Sequence, residues 1–553
     1  MRNWLLEDDW LITQLLTHAS ASGDRPALWC RESGETIWRV RTWGQIATDV
    51  ARVTDALGEL GVGPQSVVAQ WAGNDYAWIL LDLALLGIGA LHVPLHATLS
   101  GTAIAAQLRH SGASLLVTRE GVRTEDGSTC RRLAAAELLA RGDADRGRAR
   151  LAELSRQLTW DTPAALLYTS GTLGAPKGVV LTQGNLLANT RSVLQAFVER
   201  ETERRLSLLP FSHIYAHTCD LLVWLLGGTE MAIAGGADRW SSDLRDVSPT
   251  LINGVPLLFE RFRRALSECG AADRPGALRA ALGGRIEVCV CGGAAVPDGL
   301  DDFFTSQGVP LLPGYGLTEA SPVVTASTVG ARQRGAVGRP LPGVEVRLAE
   351  DGEILTRGPH VMSGYFRDAA ATAEALREGW LHTGDLGVWT DEGLLRVTGR
   401  KKEVVVLAQG KNVSPAAIEQ RLLEDPWIAQ VAVLGDGRPC LVALIVLRTE
   451  VAAAAAENAT AAAEPWESPA VARQLAERVA ARLSDLASHE QVRGLILLDR
   501  AFSVELGECT PKLTLCRPRI AAHFVSAADQ LYQTLTSQGH ADRPRTLTWR
   551  TKA

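Results

Sequence analysis

The residues most suited to chemistry lie between positions 168 and 178, where the chain reads Tyr168-Thr169-Ser170-Gly171-Thr172-Leu173-Gly174-Ala175-Pro176-Lys177-Gly178. Glycines let a backbone approach a ligand closely, and successive N–H groups in such a loop form an anion cradle. Thr169, Ser170 and Thr172 add hydroxyl donors, and Lys177 adds a positive charge. The G-x-x-x-x-G-K-[ST] spacing of a Walker loop is absent. Arginine otherwise dominates the basic residues: only six lysines occur, at 177, 401, 402, 411, 512 and 552. An ammonium and a guanidinium place charge differently, so a lysine kept in this chain points to a position that needs one. Lys552, in the terminal stretch, reads as chance.

Further motifs follow in order: Leu209-Pro210-Phe211-Ser212-His213, Gly292-Gly293-Ala294, Gly314-Tyr315-Gly316-Leu317-Thr318-Glu319, His382-Thr383-Gly384-Asp385 and Gly399-Arg400-Lys401-Lys402-Glu403. Together with the loop they resemble the adenylate-forming (AMP-binding) superfamily of acyl-CoA synthetases, peptide-synthetase adenylation domains and luciferases. The stretches 255–260 and 399–415 resemble the long-chain fatty acyl-CoA synthetase branch most. The resemblance implies that Thr169, Ser170, Gly171, Thr172 and Lys177 cradle the phosphates of ATP. Gly292, Gly293 and Ala294 form the adenine-side turn, and Gly314, Tyr315 and Gly316 carry the ring that stacks on adenine. Thr318 meets the phosphates, and Glu319 holds Mg²⁺, a hard cation that favours carboxylate oxygen. Asp385 accepts from the ribose hydroxyls beside Arg400, with a structural salt bridge between the two as the plain alternative. His213, Val255 and Gly293 border the acid pocket, and Lys402 marks the hinge of a rotating small domain. Coenzyme A is the implied co-substrate and a small-molecule carboxylic acid the implied partner.

Three positions depart from the family pattern. Leu173 replaces a second threonine and Gln183 a common histidine. The family's C-terminal lysine, which bridges carboxylate and α-phosphate, aligns with Thr514, while Lys512 lies two residues earlier in Cys509-Thr510-Pro511-Lys512-Leu513-Thr514-Leu515-Cys516-Arg517. Residues i and i+2 of an extended segment share a face, displaced by roughly 6–7 Å, so Lys512 is the candidate catalytic lysine. The exchange keeps two other readings open. One is adenylation with a different acid or acceptor, such as an acyl carrier protein thiol, an amine or nitrous acid. The other is a nucleotide-binding relative without catalysis.

These residues need a scaffold. Residues 43–60 read as an amphipathic helix ended by Gly61, and 66–71, 91–95, 164–168, 205–209, 229–233, 251–255 and 286–290 as short apolar strands between helical stretches. Such alternation predicts an α/β fold with largely parallel sheets. Beyond residue 340 short turn-bounded strands appear at 344–348, 352–356 and 394–397. The expected architecture is a large N-terminal domain of stacked α/β sheets (1–400) with a small β-barrel-like subdomain. A small mobile α+β domain (401–525) and a polar tail without periodicity (526–553) follow. The alanine-rich stretch 451–463 reads as a solvent-facing helix or a loose insertion.

The bulk properties set outer bounds. A chain of 553 residues with 46% hydrophobic content is that of a folded multidomain protein. A formal charge of -6 gives no footprint for nucleic acid. The nine cysteines match neither a disulfide framework nor a zinc cluster; Cys289 and Cys291 read as one face of a buried strand, and a reducing, cytoplasmic setting is expected. Residues 76–95 are apolar but broken by Asp82 and Pro94, too short and interrupted for a transmembrane span.

Overall fold

The computed structural model describes residues 10–31, 35–119, 130–169, 177–197, 202–448, 451, 468–503, 505–509, 515–538 and 544–549. Its largest sheet runs, from edge to edge, through the strands 339–340, 323–326, 311–316, 288–291, 251–254, 204–207, 230–233, 26–30 and 39–42. A second sheet has the order 364–365, 177–182, 163–169, 91–95, 67–71, 115–118 and 131–134. The central strands of both pair in parallel, and the antiparallel partners lie at the edges.

Helix Tyr76–Ile88 shows how sequence dictates placement. It is apolar on nearly every side, and a helix of that kind is stable only when enclosed. Asp75 caps it by accepting from the Trp78 N–H, and Gly89, at φ 69°, ends it in the left-handed conformation that glycine tolerates. It packs in the large core with helix Trp43–Glu59, whose Trp43 stacks on Trp224 at 4.8 Å between ring centroids. The stretch that is too short for a membrane is therefore a buried helix feeding the strand Leu91–Leu95, and no helix among the described residues is long and apolar enough to cross one. Cys289 and Cys291 are buried on one face of strand Val288–Cys291.

The small β subdomain is an open sheet of strands 345–348, 353–357, 380–389, 376–377 and 395–400, with no pairing among the described residues that closes it. From residue 405 onward two further cores form on either side of the sheet 428–434, 441–447, 492–498 and 545–549. The expectation of a polar tail without periodicity over 526–553 is corrected here. Helix Val525–Gln538 buries Leu531, Tyr532 and Leu535 against this sheet, and strand Arg545–Trp549 pairs in parallel with Val492–Leu498. A helix between two parallel neighbouring strands is the ordinary crossover solution; the Arg and Pro composition concealed it. Residues 452–467, including most of the alanine-rich stretch, lie outside the described residues.

Candidate active site

The candidate loop leaves one strand and returns on its antiparallel neighbour. Thr169 ends strand Pro163–Thr169, Lys177 opens strand Lys177–Thr182, and the two are paired. The Thr169 hydroxyl donates to the Lys177 carbonyl at 3.5 Å. Ser170, Gly171 and Thr172 lie outside the described residues, as do Lys512 and Thr514. The Lys177 ammonium sits 4.8 Å from the centre of the Tyr365 ring, a cation–π contact. The Tyr365 hydroxyl donates to Glu319 Oε1 at 2.9 Å. One chain of contacts thus joins the base of the loop to the Thr318–Ala320 turn.

Tyr315 ends a second chain. Strand Leu311–Gly316 carries it into the cleft, and its hydroxyl donates to Asp385 Oδ2 at 2.8 Å. Asp385 faces Arg400 across the pair of strands Trp380–Trp389 and Leu395–Arg400, and Arg400 Nε lies 2.9 Å from Asp385 Oδ1. Asp385 is only 4% exposed. Burial pushes its carboxyl above the usual range, against the pull of Arg400 and the Tyr315 hydroxyl. Burial, with the nearby Asp385 carboxylate, raises the Tyr315 phenol well above its ordinary value. Tyr315 therefore acts as a neutral donor.

Glycine is required at two positions here. Gly293 has φ 81° in the turn after strand Val288–Cys291, where it faces Val255. A Cβ on Gly316 would lie 1.8 Å from the Pro322 carbonyl, so the turn into Thr318 tolerates no side chain there. His213 Nδ1 accepts from the Tyr215 N–H at 3.2 Å, fixing its ring at the start of the following helical turn.

Every candidate residue among the described ones lines one cleft of about 3480 Å³. Asp385 and Arg400 form the salt bridge expected as the plain alternative, and they do so inside this cleft. Lys402 is exposed at its rim in the Lys401–Glu403 turn. Its neighbour Lys401 pairs with Asp351 and Glu353, and Glu353 also receives His382 and the Gly384 N–H. Neither Tyr365 nor Glu353 was singled out from sequence. Tyrosine is as rare here as lysine, with six in the chain, so the same scarcity argument could have found Tyr365. Gln183 donates to the Leu86 carbonyl at 2.8 Å and is buried, a packing role away from the loop.

The described residues on either side of Lys512 are tied to one another. Cys509 and Leu515 pair as an isolated antiparallel bridge, and the Cys516 N–H donates to the Glu508 carbonyl at 2.7 Å. Arg517 then binds Glu419 through two nitrogens and Glu403, beside Lys402, at 3.3 Å.

A family model described as AMP-binding enzyme matches residues 15–366, and one described as AMP-binding enzyme C-terminal domain matches residues 402–536. The chain is 32% identical to a long-chain-fatty-acid–CoA ligase of Mycobacterium bovis, across 90% of this chain and 93% of that protein. It is 28% identical to the peroxisomal long chain acyl-CoA synthetase 7 of Arabidopsis thaliana, across 91% and 83%. Its fold is like that of o-succinylbenzoate coenzyme A synthetase of Bacillus subtilis in complex with AMP, with a TM-score of 0.73, 23% identity, and coverage of 91% and 97%. It is also like that of an anthranilate CoA ligase in complex with anthranoyl-AMP, with a TM-score of 0.77, 18% identity, and coverage of 95% and 99%.

Proposed function

Because the chain belongs to the AMP-binding enzyme family, we propose that it uses ATP to activate a carboxylic acid as its acyl-adenylate, releasing pyrophosphate, and then transfers the acyl group to coenzyme A. The observation that carries this reading is the convergence of two contact chains, Lys177–Tyr365–Glu319 and Tyr315–Asp385–Arg400, on one cleft. The first brings a cation and an acid to where phosphates would lie. The second offers a buried carboxylate to a sugar hydroxyl and an aromatic face to a base.

Carboxylate attack on the α-phosphorus joins two anions, so the site must offset charge as it develops. Lys177, the donors of residues 169–172 and Lys512 are the groups assigned to that task. Glu319 fits Mg²⁺: one oxygen accepts from the neutral Tyr365 hydroxyl, and no lysine or arginine forms a salt bridge with it among the described residues. A single carboxylate suffices for a cation that takes its remaining ligands from phosphates and water, and the ion would supply further charge compensation. No side chain needs to act as a covalent nucleophile.

The division at residue 400 into a large part and a small mobile part belongs to the same proposal. It is supported by cores that draw either on residues up to 381 or on residues from 405 onward. Rotation about Lys402 would let one cleft serve two half-reactions. A carrier-protein thiol would present the same nucleophile as coenzyme A; the latter is preferred because the relatives are named as a CoA ligase and an acyl-CoA synthetase. Acid-dependent exchange of labelled pyrophosphate into ATP tests the first half-reaction, and its absence across a broad panel of acids would defeat it. Omitting coenzyme A from a product assay tests the second.

A further inference from the structure

The largest sheet presents two unlike faces. Strand side chains alternate, and on one side Leu206, Ile252, Cys289 and Cys291 form an apolar core. The other side carries Arg205, Ser207 and Asn253, aligned because Leu251 pairs with Arg205 in the neighbouring strand. Polar groups buried under a sheet require partners, and a π-helical turn, His217–Leu222, supplies them. Asn253 Nδ2 donates to the Cys219 carbonyl at 3.1 Å and to Asp220 Oδ1 at 2.7 Å. Ser207 donates to Asp220 Oδ2 at 2.8 Å, and Arg205 donates to the Cys219 carbonyl and to Glu203.

One group is left over. Asn253 uses its amide hydrogens on the π-turn, and its Oδ1 receives no donor among the described residues. The side chain is only 4% exposed, yet it lines the cleft beside Tyr215, Cys219, Val255 and Val290. Asn253 precedes Val255, which faces Gly293, by two residues, about 7 Å along the chain at strand spacing.

We propose that Asn253 is a specificity residue of the acid pocket, its amide oxygen accepting a hydrogen bond from a hydroxyl or amine at the end of the acid remote from the carboxylate. The substrate class is then acids with a distal hydrogen-bond donor, rather than long unsubstituted fatty acids. This rests on the acid-activating reading above. An alkyl tail seated on the polar layer would leave the amide oxygen unpaired and dry, and sites built to bond a substrate group discriminate strongly against analogues that lack it.

The test is acid-dependent pyrophosphate exchange by the full-length enzyme with matched pairs: para-hydroxycinnamate against cinnamate, omega-hydroxyoctanoate against octanoate, and hexadecanoate as the long reference. The expected kcat/KM favours the hydroxylated member of at least one pair by roughly tenfold or more, and hexadecanoate is the poorest substrate. Asn253→Val is expected to abolish that preference while leaving the KM for ATP unchanged. Equal or greater activity with both unsubstituted partners, a preference for hexadecanoate, or a hydroxyl preference that survives Asn253→Val would each overturn the proposal. Valine also removes two bonds to the π-turn; should that variant fail to fold, the wild-type ratios decide. Exchange with no acid at all would defeat the acid-activating reading, and this proposal with it.

Discussion

Asp385 concentrates the consequences of the site in one carboxylate, since it is buried, paired with Arg400 and bonded to Tyr315. Asp385→Ala removes the proposed ribose acceptor and the partner of both Arg400 and Tyr315. The expected outcome is a loss of about 100-fold in kcat/KM for ATP, on the order of 3 kcal/mol. Tyr315→Phe keeps the ring and loses one hydrogen bond, so a drop of about tenfold or less is expected. Steady-state kinetics with varied ATP distinguishes the two. Asp220 gives a pH signature instead. Burial pushes its carboxyl from 3.8 up to about 6, opposed by Arg205, Asn253 and Ser207. A raised folded-state pKa contributes stability that is complete below the unfolded value and is lost as pH rises through the folded one. Urea midpoints of the wild type are therefore expected to carry a loss between pH 3.8 and about 6 that Asp220→Asn lacks.

Among the elements, Glu508 and Arg517 stand on either side of residues 510–514 and each carries a buried ion pair. Burial alone would raise the Glu508 carboxyl, but Arg500, His523 and the Ser503 N–H bring it down from 4.5 to about 2. Its contribution is present above pH 4.5 and is lost as pH falls towards 2, so Glu508→Gln should remove that part of the acid-induced loss in a stability titration. Arg517→Ala leaves Glu419 buried without its partner and should cost the small domain about 3–5 kcal/mol in chemical denaturation. These elements differ in how plainly the sequence announced them. Helix Trp43–Glu59 and the parallel strands were legible because period and turn residues agree locally. The six ordered motifs were legible because their spacing survives any change in the scaffold between them. The π-turn was not, because nothing in the sequence His217-Thr218-Cys219-Asp220-Leu221-Leu222 distinguishes it from an α-helical turn. Its polar partners on the neighbouring strands, Ser207 and Asn253, appear only once the chain is folded. Strand Arg545–Trp549 was missed for a related reason: its pairing depends on a strand some fifty residues earlier.

For the whole molecule, the proposed hinge is the point where separate cores must cooperate. Lys402 is exposed and follows Lys401, which is tied to the open sheet by Asp351 and Glu353. Proline fixes φ near −65°. Lys402→Pro is expected to leave pyrophosphate exchange within about threefold while reducing thioester formation by about 100-fold, if rotation serves only the second step. Equal losses in both assays would place the pivot elsewhere.

The bond from Arg517 to Glu403 begins and ends on the same side of that pivot. Under the proposed rotation Glu403 and Arg517 would move together, and the clasp between them would stay intact. On that proposal the clasp and the pivot would form one unit. Grafted onto another acid-binding body, it would bring both its reach and its axis, while the body alone would determine which acid is offered to it.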